Sequence, residues 1–232
     1  MAPSSPQCAA KVTVSASNVR SGLRAGDVVA YGRWVSGAQS EAKASVWPAV
    51  FTWRAYDDPR MESVRVNVSG NRIKAYGRIV AGASDLHPAF SASYDLVTDE
   101  AGATRRLSMT VTLAERERQL SISRDEENMW LVQDHQNQTK RAPYDGALDV
   151  DVIFSPFFNA LPIRRTGLHQ RTDSITLPVV YVRLPEVTVE AATISYSSAP
   201  DGIKVVSPVA DTTVTVDDDG FILSYPGLAE RI

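Results

Sequence analysis

Residues 146–168 read GALDVDVIFSPFFNALPIRRTGL, and there an otherwise strand-by-strand chain changes its period. The stretch opens as a strand, with Leu148, Val150 and Val152 on one face and Asp149, Asp151 and Ile153 on the other. Two carboxylates therefore point the same way, roughly 6.7 Å apart at a rise of about 3.3 Å per residue. Ser155 is a favoured N-cap and Pro156 is tolerated at the first helical position, which predicts a short helical turn. Pro162 biases the residue before it away from the helical region, so the turn is expected to end by Leu161. Asn159 lies within the turn, and Arg164 and Arg165 follow it. The expected product is an acid–base cluster beside Phe157 and Phe158.

On either side of this stretch the apolar period is two. AVFTWRAY (49–56), ESVRVNVS (62–69), NRIKAYGRIV (71–80), SASYDLVT (91–98), RRLSMTVTL (105–113), ERQLSISR (117–124) and MWLVQD (129–134) are short alternating runs. Turn residues separate them, among them Asp57-Asp58-Pro59, Ser69-Gly70-Asn71 and Glu100-Ala101-Gly102. Downstream, SITLPVVYVRLP (174–185) is apolar on both faces and reads as a buried strand, with Pro178 calling for a bulge or an edge position. VTVEAATISYSS (187–198), IKVVSP (203–208) and TTVTVDDDGFILSY (212–225) follow, the last folded back at Asp219-Gly220, with a final turn at 227–231. The expected fold is mainly β: a large antiparallel sheet curled into a half-barrel or barrel-like shape, with one or two short helical turns.

Composition narrows the function. The chain has 232 residues, 44% hydrophobic and 22% charged, and a net charge of -3; such a balance argues against nucleic acid as the main partner. One cysteine, Cys8, excludes internal disulfides. No apolar run reaches the 18 residues a spanning helix needs. The N-terminus lacks a charged segment followed by an apolar one, so a cytoplasmic location is expected. Residues 1–45, rich in Gly, Ala and Ser, are expected to form a partly flexible extension ahead of a β-domain at 46–232.

The residues offer little catalytic chemistry. His87, His135 and His169 stand apart, without a second ligand at metal spacing, and neither metal nor cofactor is expected. Asp217-Asp218-Asp219-Gly220 is no EF-hand, since the closing glutamate position holds Leu228. Asp149 and Asp151 stand near the spacing of an inverting glycosidase pair, but neighbours on one strand face point in parallel rather than across a sugar. Two other readings are open to them. They pair with Arg164 and Arg165 and pin the helical turn to the sheet, or those arginines and Asn159 hydrogen-bond a polar head group at a cavity mouth.

LDVDVIFSPFFNALPIRR also resembles the signature of the putative glycolipid-binding family of bacterial proteins, in which an acidic strand runs into TPFTN-LPIRR. Ser155 and Phe158 stand where the family has threonine; Asn159, Leu161, Pro162, Ile163, Arg164 and Arg165 match. LPVVYVRLPEVTV, the C-terminal YPGLAERI and FTWRAYDDPRMESVRV are similar to the family's flanking segments. The resemblance, from about Val50 to the end, implies a fold like that of lipid and lipoprotein carriers. The expected function is therefore non-enzymatic binding of a lipid or glycolipid in an apolar concavity of the sheet. Phe157, Trp130 and Tyr181 are the expected floor and Asn159, Arg164 and Arg165 the mouth, with Asp149 and Asp151 beside them. The alternatives are an interaction or scaffold domain with a filled core and a hydrolase using the acidic strand; cavity volume separates the first two.

If the family pattern marks the folding unit, a chain lacking residues 1–44 should keep its melting temperature to within a few degrees. A melting point tens of degrees lower, or insolubility, would place the extension in the core.

Overall fold

The computed structural model describes residues 46–232; the sequence readings made for residues 1–45 lie outside them. Eight strands form an antiparallel meander: β1 (Ala49–Ala55), β2 (Arg60–Ser69), β3 (Arg72–Ala81), β4 (Phe90–Thr98), β5 (Thr104–Leu113), β6 (Glu117–Arg124), β7 (Trp130–Gln133) and β8 (Thr139–Ala142). A 3-10 turn at Tyr144–Gly146 leads to β9 (Asp149–Val152), then helix α1 (Pro156–Thr166) and β10 (Ser174–Arg183), which pairs parallel to β9. β11 (Thr188–Ala199), β12 (Gly202–Val206), β13 (Asp211–Val216), β14 (Ile222–Tyr225) and β15 (Ala229–Arg231) form a second meander. β15 pairs with β1, so among the described residues all fifteen strands make one sheet, running from β8 through β1 and β15 to β9.

That order forces curvature. β8 and β9 are the two ends of the sheet, yet only seven residue steps separate Ala142 from Asp149, a reach of at most about 25 Å. Fourteen strand spacings laid flat would hold the same edges roughly 67 Å apart. The sheet therefore curls, as the spacing of its strands and turns implied, but its two edges do not pair. The seam is closed instead by Thr104 N, which donates to Leu148 O at 2.8 Å, and by Trp130 Nε1, which donates to Ala147 O at 2.9 Å.

The strict alternation of β2 and β4 puts Val64, Val66, Ala92, Tyr94 and Leu96 inside. α1 fills the curl. Phe157 and Phe158 pack on Tyr94, and Phe157 stacks on Phe221 with ring centroids 6.4 Å apart. Ile163 packs with Val179, Ile194 and Val214 in a second core. Val179–Val182 of β10 are buried on both faces between the two cores, which is why that strand has no polar face. Pro178 is tolerated because β9 joins β10 only from Val179, leaving Pro178 paired on one side.

Three local readings need correction. α1 continues through Pro162 to Thr166. Pro162 forfeits one helical hydrogen bond, a cost of about 3 kcal/mol, but Phe157, Phe158, Leu161 and Ile163 are each buried at roughly 1.5–3 kcal/mol apiece, and packing wins. β8 and β15 carried no readable signal: one is the exposed TKRA run, the other is three residues long. Asp219 and Gly220 are not a two-residue turn but the third and fourth residues of a five-residue loop, Asp217 to Phe221. The same device recurs at Asp99, Asp125 and Asp134. In each, Oδ1 of the aspartate accepts the backbone N–H groups two and four residues on, and a Gly or Asn three residues on takes positive φ.

Gly77 faces Tyr94 across the β3–β4 ladder, and a Cβ there would lie 2.2 Å from the tyrosine ring. Gly77→Ala must push Tyr94 off the helix and is expected to cost about 1–3 kcal/mol in denaturant unfolding. An unchanged midpoint would mean that the ring is not held against that glycine.

Candidate functional site

α1 is anchored by acids from the strands. Ser155 is the N-cap residue but makes no capping bond of its own; its Oγ donates to Glu62 Oε1 at 2.5 Å. Tyr94 donates to the same oxygen at 2.6 Å, and Phe157 N donates to Glu62 Oε2 at 3.4 Å. Glu62, from β2, thus replaces the local cap and sets negative charge or a neutral acid at the helix N-terminus. At the other end Arg165 Nη2 meets the buried Asp149 Oδ2 at 2.6 Å, and Gly167 closes the helix at φ 71°. Between them Asn159 Nδ2 donates to Asp151 Oδ1 and Tyr196 donates to Asn159 Oδ1, both at 3.3 Å.

Of the expected acid–arginine pairs, Asp149 with Arg165 forms; Asp151 is held by an amide instead. Successive helical residues point about 100° apart, so Arg164 and Arg165 cannot both face β9. Arg164 turns away, donates to the carbonyl of Asp219 and lies 4.5 Å from the Phe221 ring centroid.

A half-open cleft of about 460 Å³ lies at the N-terminal end of α1. Asp151, Asn159, Tyr181 and Tyr225 line it together with the β1–β2, β12–β13 and β14–β15 turns. Apolar side chains also line it, among them Leu86 and Val209, 80% and 56% exposed. Asp151 is 7% exposed, and burial pushes its carboxyl up to about 7, aided by Asp149 and Glu62 and opposed by the Val152 N–H. The Tyr181 hydroxyl is buried without a hydrogen-bond partner. On the wall, Arg60 Nη1 meets Asp58 Oδ2 at 2.5 Å and His87 Nε2 lies 3.0 Å from the same oxygen. Burial works to raise Asp58, but the His87 hydrogen bond and the Arg60 charge outweigh it and hold its pKa low. Phe154 takes φ 76°, an uncommon conformation for a bulky residue, with the Arg60 guanidinium 4.3 Å from its ring centroid.

The expected site residues are thus divided. Asp151, Asn159 and Tyr181 come together at the cleft. Arg164 and Arg165 line a second, polar cleft of about 370 Å³ with His169 and Asn71, about 9 Å along the helix from Asn159. Phe157 and Trp130, expected on the floor of a concavity, are core residues, because α1 occupies the curl they face. Glu62, Arg60, Phe154 and Tyr225 were missed. Glu62 had one available signal, a carboxylate in phase with the inward-facing Val64 and Val66 of its strand.

A sequence profile for a family described as "Putative glycolipid-binding" matches residues 50–231. No curated protein matches the chain. A crystal structure of a DUF1089 family protein from Pseudomonas aeruginosa superimposes with a TM-score of 0.60 at 22% identity, covering 82% of this chain and all of that one. At that identity the likeness is one of fold.

Burial also raises Glu62 to about 7, against hydrogen bonds from Ser155, Tyr94 and Phe157 and the Arg60 charge. Unfolded, Glu62 and Asp151 ionise near 4.5 and 3.8, so between those values and about 7 the folded chain holds protons that the unfolded chain has lost. These groups therefore favour the fold fully below about pH 4, and their contribution falls as pH rises, levelling off above about 7, a fall on the order of 3–4 kcal/mol per group. Glu62→Gln keeps an acceptor for Ser155 and Tyr94, and should remove about half of that fall in denaturant melts from pH 4.5 to 8. The same slope in both proteins would mean that Glu62 stays ionised.

Proposed function

This chain belongs to the putative glycolipid-binding family, and from that premise we propose that the cleft at the N-terminal end of α1 binds the polar end of a lipid or glycolipid. The observation that carries the reading is the pairing of buried polar groups with an exposed apolar border in one half-open space of about 460 Å³, within the usual size of a ligand pocket. Asp151, Asn159 and Tyr181 take the head group. The chain of the lipid leaves over Leu86 and Val209, exposed apolar side chains that border the cleft. Phe157, Trp130, Asp149 and Arg165 hold the frame on which those groups are set. Binding of this kind needs no chemical step, which fits the non-enzymatic role that the family description suggests.

A second reading, an interaction domain with a filled core, draws on a specific observation. The curl of the sheet is occupied by the protein's own helix, and Phe157, Phe158 and Trp130 are fully buried there. It differs from the first in assigning the end cleft no ligand.

A fluorescent glycolipid probe should bind with micromolar affinity or better, about -8 kcal/mol. Leu86→Asp and Val209→Asp should each weaken it tenfold or more and leave the unfolding midpoint unchanged, since both side chains are exposed. Absence of binding by the probe would turn the assignment to the interaction domain.

A further inference from the structure

We infer that the ligand's head group is uncharged or cationic and donates hydrogen bonds, as a sugar hydroxyl or a primary amine does, and that phosphate and carboxylate head groups are rejected. This rests on the cleft being the binding site.

The charge of the lining is one-sided. Four carboxylates, Asp57, Asp58, Asp151 and Asp211, face one cation, Arg60. Arg60 is already committed to Asp58 at 2.5 Å and to the face of Phe154, so no free cation remains in the lining to receive an anion. Asp58 is compensated by Arg60 and His87, and Asp211 by Lys204 at 3.2 Å. Asp151 has no cation at all; its partners are the Asn159 amide and the Val152 N–H. A buried carboxylate in that state is short of donors, and bringing a second negative charge beside it costs both desolvation and repulsion.

The unpaired groups match a polyol. Asp151 is an acceptor awaiting donors, Asp58 Oδ1 is buried without a partner, and the Tyr181 hydroxyl is a buried donor without an acceptor. A hydroxyl both donates and accepts and can satisfy both kinds of vacancy. A primary amine supplies donors for the two carboxylates and leaves Tyr181 unpaired. Of these three groups phosphate could accept only from Tyr181, and it would face the acids. An amide, an uncompensated carboxylate and aromatic rings around a half-open space is the composition a neutral sugar needs. None of the arginines of the signature takes part: Arg164 and Arg165 lie at the far end of the helix, against Asp219 and Asp149.

Three amphiphiles with one tail and different heads test this: octyl glucoside, octylamine and octyl phosphate, each below its micellar concentration, titrated calorimetrically into the full chain at pH 8. Octyl glucoside is expected to bind at least tenfold tighter than octyl phosphate; octylamine outranking the glucoside would identify the amine as the source of the donors. Asp151→Asn should cut glucoside binding about tenfold, the loss expected of one hydrogen bond to a charged group, and should narrow the gap to the phosphate. Should that variant fail to fold, Tyr181→Phe removes only a hydroxyl that bonds nothing in the fold. It should keep the unfolding midpoint while weakening the glucoside several-fold relative to octylamine. Equal affinities, or octyl phosphate binding best, overturn the head-group inference and leave the cleft reading standing. If no amphiphile binds, the cleft reading itself has failed and this inference falls with it.

Discussion

A carboxylate from the second strand stands at the buried N-terminus of the only α-helix among the described residues, and the molecule is arranged around that contact. Glu62 accepts from Ser155, Tyr94 and Phe157, so one side chain joins the first meander, the β9–α1 link and the helix. The buried N-terminus of the helix leaves backbone N–H groups that water cannot reach, whereas at the half-buried C-terminus the N–H groups of Gly167 and Leu168 bond the carbonyls of Arg164 and Ile163. The sheet supplies Glu62 for the N-terminus and also grips the helix by its side chains, Asp149 holding Arg165 at the other end and Asp151 holding Asn159 between. Three acids taken from the sheet orient one rod inside it. The aromatic stack of Phe157, Phe158, Tyr94 and Phe221 then has a fixed place to form.

The strands were legible because each long one buries a single face, and a single buried face writes itself as period two. β10 was legible for the opposite reason, being apolar throughout and buried on both faces. The helix was legible at its start, where Ser155-Pro156 is local chemistry, and not at its end, where the penalty at Pro162 is overruled by packing that only the tertiary structure reveals. The same holds for the acids. Period two put Asp149 and Asp151 on one face, but their partners depend on the rotation of a helix that strand geometry says nothing about. The cleft was half legible: Asp151, Asn159 and Tyr181 belong to segments already singled out, whereas Asp58, Leu86 and Val209 come from turns scattered over the chain and Tyr225 from the end of β14. No spacing rule connects residues that meet only because the sheet curls.

Filling the curl changes what the fold can offer a ligand. A curved sheet with an empty apolar face would hold a tail along its axis, whereas this one spends that face on its own helix, and the space left lies where the helix begins. The polar groups that seat the helix are then the same ones that border the cleft. Asp151 and Asn159 serve the fold through each other, and Ser155 serves it through Glu62, yet all three line the open space. Stability and recognition share side chains there, and the strained Phe154 corner sits between them.

The pairing of β1 with β15 has a consequence for how the molecule is made. Arg54 and Glu230, opposite each other in that ladder, are 176 residues apart in the chain. Synthesis delivers the first meander early and leaves the outer edge of β1 unpaired until β15 follows. An open edge of that kind is a template for other chains. Exposed Arg54 at this edge and the short, charged β15 that eventually covers it are the features that would blunt such pairing in the interval. The same long-range closure places the joining of the two meanders among the slow contacts of folding, since the loop to be closed is nearly the whole domain.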